Sequence, residues 1–263
     1  MSDIVLLRGG GDLASGVALR LHHAGFDTII TELPEPLAVR RAVSFSEAVY
    51  EGVWTVEDVT ARRVQTRAEV FACLAHREIP VLVDPDLEII PSLGLGISAL
   101  IDARLLKQTA PSLRENYPLV IGLGPGFTAG ENCHAVIETQ RGHTLGRVYW
   151  HGAASPDSGR PEGDPRRVLR APCDGIVIGC AQIGDHLEAG EMIAQVEGEA
   201  IRAPFAGVLR GLIRPGMQVK QGLKIGDLDP RDQRAYCFLV SDKALAIGGG
   251  VLEALLQFQR SKK

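Results

Sequence analysis

Arg170-Ala171-Pro172 returns 32 residues later as Arg202-Ala203-Pro204, and the echo stays in step. Gly175 recurs as Gly207, Gly184 as Gly216, Gly190 as Gly222, and Ile193 as Ile225. A glycine-punctuated segment this short cannot bury an apolar face alone, so two copies must interlock about a pseudo-twofold axis. The repeat therefore predicts a small all-β module over residues 166–231. Residues 153–165, rich in serine, proline, aspartate and glycine, read as a linker.

The phrase Ala-Pro-x-x-Gly, at 171–175 and again at 203–207, resembles that of lipoyl and biotinyl carrier domains, where a lysine between the halves is modified. Here the joint, Met192 to Arg202, holds no lysine. Neither biotin nor lipoate is expected.

The chain before the linker has a different rhythm. Ile4-Val5-Leu6-Leu7 is an apolar run suited to a buried parallel strand. After Gly9-Gly10-Gly11, apolar residues fall at Leu13, Ala14, Val17, Ala18 and Leu21, a helical spacing that Gly25 closes. Thr28–Thr31 makes a second strand ending at Glu32. Further strands are Val81–Val83 ending at Asp84, Ala99–Ile101 ending at Asp102, and Leu119–Ile121 ending at Gly122, with a helix over 66–77. Strand alternating with helix predicts an α/β architecture. The expected fold is a Rossmann-like parallel sheet domain, residues 1–152 with 232–263, plus a lipoyl/biotinyl-like all-β barrel-sandwich module at 166–231. The tail, strand-like over Tyr236–Val240 and helical over Lys243–Phe258, is expected to rejoin the first domain. Its Gly248-Gly249-Gly250 each cost about 1 kcal/mol in a helix interior, so a tight contact or a helix start is expected there.

Bulk properties narrow the function. Net charge is −4 and aromatics are 5%, with no basic stripe, which argues against nucleic acid as a partner. The five cysteines, Cys73, Cys133, Cys173, Cys180 and Cys237, have no C-x-x-C spacing, so no zinc knuckle or disulfide scaffold is indicated. Nothing reaches the roughly 18 apolar residues of a membrane span. The start at Met1-Ser2-Asp3 shows no export signal, and a cytoplasmic location is expected.

Three stretches are candidates for chemistry. Gly9, Gly11 and Ala14 satisfy G-x-G-x-x-A, and Glu32 stands where a dinucleotide fold places its ribose-binding acid. Asp12 opposes that reading, because its carboxylate claims the helix start that a pyrophosphate would use; it also reads simply as an N-cap. Arg40 and Arg41 suit an anionic ligand or a solvated surface, and Ser44 with Glu47 reads as a capping box. Gly124, Gly126 and Thr128, in the run Gly122–Gly130, are expected to converge amides and a hydroxyl on an anion. His134, Glu138 and His143 follow as acid–base candidates, with Arg141 as a cofactor contact. A strand over Ala135–Thr139 would put His134 and Glu138 on one face. Cys133 is a candidate nucleophile or sulfur or selenium carrier, or an inert core thiol. Asp84 and Asp102 are weaker candidates for metal or ribose, and no metal site is assigned.

The stretches Gly10–Gly16, Arg40–Gly52, Gly124–Gly130, His134–His143 and Leu209–Arg214 together resemble the YqeB family. That resemblance implies an accessory role in maturing a selenium-dependent molybdenum hydroxylase, which would be the partner. It implies no catalytic residue, and whether any step is catalysed stays open. A molybdopterin cofactor or a nucleotide, bound by its anionic end at the sheet's carboxyl edge, is the expected ligand. Two alternatives stand beside it: an NAD(P)-dependent oxidoreductase, and a non-catalytic scaffold that docks the hydroxylase through the β module.

Overall fold

The computed structural model describes residues 4–157, 159 and 163–261; the expected chain start at 1–3, and the linker at 158 and 160–162, lie outside them. The chain forms two compact units, Met1–Pro36 with Phe45–Ser158 and Val240–Lys263, and Leu37–Ser44 with Gly159–Leu239.

In the first unit β1 (Ile4–Arg8) is apolar until its last residue and wholly buried. Such a strand needs neighbours on both sides and cover on both faces. It pairs in parallel with β2 (Asp27–Glu32) and β6 (Ile97–Asp102). The hairpin β3 (Val53–Val56) and β4 (Val59–Arg63), with β5 (Ile79–Val83), extends one side; β7 (Val120–Leu123), β9 (Ala135–Ile137) and β10 (Val148–Tyr149) extend the other. The order of this nine-stranded sheet is β10-β9-β7-β6-β1-β2-β5-β4-β3. Strand β8 (Thr128–Ala129) pairs separately with β11 (Gly152–Ala153).

This corrects the expected Rossmann-like parallel sheet. The sheet is mixed, with antiparallel pairs β3–β4 and β9–β10 at its two edges. The strand–helix–strand rhythm also fails after β6, because no helix links β6 to β7 or β7 to β9. Short or polar edge strands are weak signals in sequence, and the buried parallel strands dominate the pattern.

Helix α1 (Asp12–His23) follows the first turn, with Gly11 rather than Asp12 as its N-cap. The short α2 (Ala48–Glu51) has no side-chain cap, and Ser44 Oγ instead donates to the Arg40 carbonyl, so the expected Ser44–Glu47 box does not form. A capping box does open α3 (Arg67–Ala75), from Thr66 and Glu69. The expected strand at 236–240 is replaced by a 3-10 turn, Arg234–Cys237, and α4 (Asp242–Ser261) runs through the three glycines. A Cβ on Gly16 would meet Ala244, and one on Gly248 would meet the Gly16 carbonyl oxygen at 2.8 Å. The glycines thus let α1 and α4 approach backbone to backbone. No helix among the described residues is long and apolar enough to cross a membrane.

The second unit consists of β12 (Val168–Arg170), β13 (Gly175–Gly179), β14 (His186–Leu187) and β15 (Met192–Val196), then β16 (Glu199–Arg202), β17 (Gly207–Leu212), β18 (Gln218–Val219) and β19 (Lys224–Asp229). They form two four-stranded antiparallel sheets, β12-β19-β17-β14 and β16-β15-β13-β18. Exchanging the two halves of the repeat converts one order into the other. Each sheet is open, ending on a two-residue strand at one side, and this replaces the expected lipoyl/biotinyl-like barrel-sandwich module. The joint is a tight β15–β16 hairpin, with Glu197 (φ 47°) and Gly198 (φ 83°) both in the left-handed region that a two-residue turn requires.

Helix-interior glycines that touch nothing differ from those that touch a neighbour. Gly249→Ala, facing open space, is expected to raise unfolding free energy by about 0.5–1 kcal/mol. Gly250→Ala, whose Cβ would collide with the Gly146 carbonyl, is expected to lower it by about 1–3 kcal/mol. Urea unfolding of both variants measures the difference.

Candidate functional site

The carboxyl ends of β1, β2 and β6 carry the first candidate. Arg8, Thr31 and Asp102 lie in register on adjacent strands and share one face. Asp102 is 2% exposed, and ionised it must be paired. Arg104 supplies a two-pronged partner, Nε to Oδ1 at 2.9 Å and Nη2 to Oδ2 at 2.7 Å, while Arg8 Nη1 lies 3.9 Å from Oδ2. Arg8 also donates to the Pro85 carbonyl through Nε, at 3.0 Å, and through Nη2. Burial, and then the charge of Arg104, hold the Arg8 pKa below its ordinary value. Arg104 runs beside the Gly9–Asp12 turn, its Cγ 3.7 Å from where a Gly9 Cβ would be, and its guanidinium and that of Arg8 are held at Asp102.

The turn is half-exposed at Gly9, Gly11 and Asp12. Gly9 is left-handed (φ 99°), and its amide donates to Thr31 O at 2.8 Å. The Gly10 carbonyl accepts from Ser46 N, and the Ser15 hydroxyl accepts from Phe45 N, so this turn is braced from two sides. Gly11 faces open space. Glu32 Oε2 accepts from Gly10 N at 2.6 Å, Glu32 Oε1 from Leu33 N at 2.7 Å, and Asp12 Oδ1 from Leu13 N at 2.9 Å. Burial pushes the Glu32 carboxyl above its ordinary value, against the two amides that lower it. The site is thus a glycine turn at a helix start, with Arg104 alongside and a carboxylate whose pKa burial raises.

The Gly124–Gly130 bend is different. Gly124 N donates to Ile137 O, Thr128 N to Asn132 Oδ1, and Gly130 N to Cys133 O. Gly126 is buried, and a Cβ there would lie 2.7 and 2.8 Å from the carbonyl oxygens of Leu106 and Gln108. The amides of Gly124, Thr128 and Gly130 therefore serve the chain itself rather than converging on an anion as expected. His134 Nδ1 accepts from Val120 N at 2.9 Å, which puts the ring proton on Nε2; burial and Arg114 hold its pKa low. Glu138 is 1% exposed and accepts from Gln140 N and Ser155 N. Burial raises its pKa, but those amides outweigh burial and leave it below the usual value. His134 and Glu138 flank β9 and are each tied to different backbone. His143 is exposed on a turn, and Arg141 pairs with Asp242 at 2.6 Å. Cys133 is fully buried, its thiol pushed up to about 12, which removes it as a nucleophile.

Arg40 and Arg41 belong to the second unit and are engaged there. Arg40 Nη2 donates to the Tyr236 and Leu239 carbonyls at 3.0 Å each, and Arg41 Nε to Leu212 O at 2.9 Å. Asp84 accepts from the amides of Glu88, Ile89 and Ile90, a cap rather than a ligand set. Among the described residues no group of three or more potential metal ligands is present. Sequence reasoning missed Arg8 and Arg104. A charged residue closing an otherwise apolar strand, directly before a glycine turn, was the available signal.

No protein-family model matches the chain. Over 258 residues it is 47% identical to the uncharacterized protein YqeB of Escherichia coli strain K12. The alignment takes in 97% of this chain and 47% of that protein, so the chain spans about half the length of the curated relative it matches. Among solved structures, an aspartoacylase family protein from Mesorhizobium loti aligns at TM-score 0.28 and 14% identity, over 87% of this chain and 85% of that one. A succinylglutamate desuccinylase from a Silicibacter species aligns at TM-score 0.26 and 14% identity, over 86% and 84%. Likeness at this level transfers neither fold nor chemistry.

Gly126→Ala is expected to cost about 1–3 kcal/mol of stability, through the two carbonyls it would strike, with no change in the reactivity or ligand affinity of the folded fraction. Urea unfolding, paired with calorimetry on the folded protein, checks both halves.

Proposed function

We propose that the chain is a member of the YqeB family acting as an accessory protein in the maturation of a selenium-dependent molybdenum hydroxylase. It binds the anionic end of a molybdopterin cofactor, or a nucleotide, at the Gly9–Asp12 turn. The 47% identity to a protein of that name supports the family reading. The ligand reading rests on one observation: a half-exposed turn at the start of a twelve-residue helix, with Gly11 open to approach and Arg104 running beside Gly9. Helix N-termini and guanidinium groups both favour phosphate oxygens.

Glu32 governs how the anion enters. Its carboxylate already accepts from Gly10 N, in the place a phosphate oxygen would take. An incoming anion must displace it or meet it protonated. Because the Glu32 pKa is raised, protonation becomes available above the usual carboxylate range, and binding tightens as pH falls through that raised value. An NAD(P)-dependent oxidoreductase fits less well, since both Glu32 oxygens point to backbone amides rather than outward to a ribose.

Three variants test this. Gly11→Ala adds a methyl in open space at an ordinary φ of −66°, so folding is expected to be kept while affinity for the pterin cofactor or nucleotide falls about tenfold. Arg104→Ala is expected to weaken binding by a similar factor in the folded fraction and, by taking the forked partner from buried Asp102, to lower Tm as well. Glu32→Gln is expected to tighten it near neutral pH and flatten its pH dependence. Isothermal calorimetry between pH 5 and 8 reads all three, and wild-type protein that binds neither ligand class overturns the proposal.

A further inference from the structure

The halves of the second unit correspond strand for strand, yet only one is covered. On β17 Val208 is 3% exposed, and the Arg210 side chain 14%. Residues 37–44 and the turn Arg234–Cys237 pack over that strand. The Val39 carbonyl oxygen lies 2.8 Å from where a Gly211 Cβ would be, Arg41 donates to Leu212 O, and Cys237 Sγ approaches Leu209 O at 3.7 Å. The repeat equates Val208 and Arg210 with Ile176 and Ile178 of β13. Those two share the outer face of their sheet and are 47% and 51% exposed.

The charges differ in the same sense. Asp229, at the end of β19, is matched by Arg231 at 2.6 Å and Arg210 at 3.4 Å. Its counterpart is Glu197, whose Oε1 accepts from Ile176 N at 3.3 Å and which pairs with no cation among the described residues. Glu199 adds acid nearby, and after burial it and Glu197 push the Cys173 thiol up, whereas Asp174 is already answered by Lys220 at 2.7 Å. An apolar strand face beside Glu197 and Glu199 is left open where its twin is roofed by residues 37–44 and has its acid answered by Arg231 and Arg210.

We infer that the outer face of β13 is a docking surface for a protein segment carrying apolar side chains flanked by arginine or lysine. The segment brings to β13 what β17 receives from two sources: apolar cover for Ile176 and Ile178, as residues 37–44 give β17, and a cation for Glu197, as Arg231 gives Asp229. This surface is independent of ligand binding at the Gly9–Asp12 turn.

A labelled peptide of the sequence Leu-Ala-Val-Arg-Arg-Ala-Val-Ser, copied from residues 37–44, is titrated against the intact chain by fluorescence anisotropy. Saturable binding is expected. Ile178→Lys, an exposed change that leaves Tm unaltered, is expected to weaken it at least about tenfold. Glu197→Gln is expected to weaken it several-fold, but to leave unchanged the binding of a peptide with norleucine in place of both arginines. The inference is overturned by no binding at millimolar peptide, or by binding indifferent to Ile178→Lys. It is also overturned if sedimentation shows self-association that Ile178→Lys disperses, because the occupant is then a second copy of the chain.

Discussion

Helix α1 and helix α4 approach closely enough for main chain to enter the contact alongside the Ala244 and Arg20 side chains, and the first unit is organised around that contact. Gly16 leaves room for Ala244, and Gly248 for the Gly16 carbonyl. Each glycine weakens its own helix by about 1 kcal/mol relative to alanine. Close packing offsets this, since side chains in contact across helices ordinarily hold axes about 8–10 Å apart. Holding α1 this tightly fixes where its first turn lies against the ends of β1 and β2. The Ser15 hydroxyl, which takes the Phe45 amide and donates to Gly10 O, carries the constraint into the turn itself.

Charge burial at the carboxyl edge then separates structural groups from available ones. Asp84 is answered by three amides, and Asp102 by a forked guanidinium. Removing either partner set would strand a buried ion, so both are fixtures. Glu32 is only partly buried, holds two amides, and still has a raised pKa. It is the carboxylate in this row whose charge is least secured. The second unit uses a similar device in Asp227, shared between Arg167 and Arg210, to tie β19 to its neighbours.

The individual parallel strands were legible, because runs such as Ile4–Leu7 and Leu119–Ile121 have few other uses. The internal repeat was legible too, and it maps onto two interchangeable sheet orders. Edges were not. The hairpin from Val53 to Arg63 turns at Glu57-Asp58, with Glu57 at φ 54° and no glycine to announce it. Among site residues, the glycine run 122–130 misled for a definite reason. Sequence cannot separate a glycine that admits a ligand from one that admits the chain's own atoms. Gly122 makes room for Phe127, and Gly126 for two carbonyls. Arg40 and Arg41 misled similarly, since their acceptors lie 171 to 199 positions further along the chain.

If the Gly9–Asp12 turn takes an anion as proposed, the bond between Glu32 and the Gly10 amide has a consequence for selectivity. A protein that fills its own anion contact with an internal carboxylate imposes an entry threshold. A monoanion exchanging places with Glu32 trades one carboxylate-like acceptor for another and gains little. A dianionic phosphate, able to engage the amide and a guanidinium together, gains more than it displaces. On the proposed reading the internal group works as a discriminator, set against weak monoacids without any steric gate.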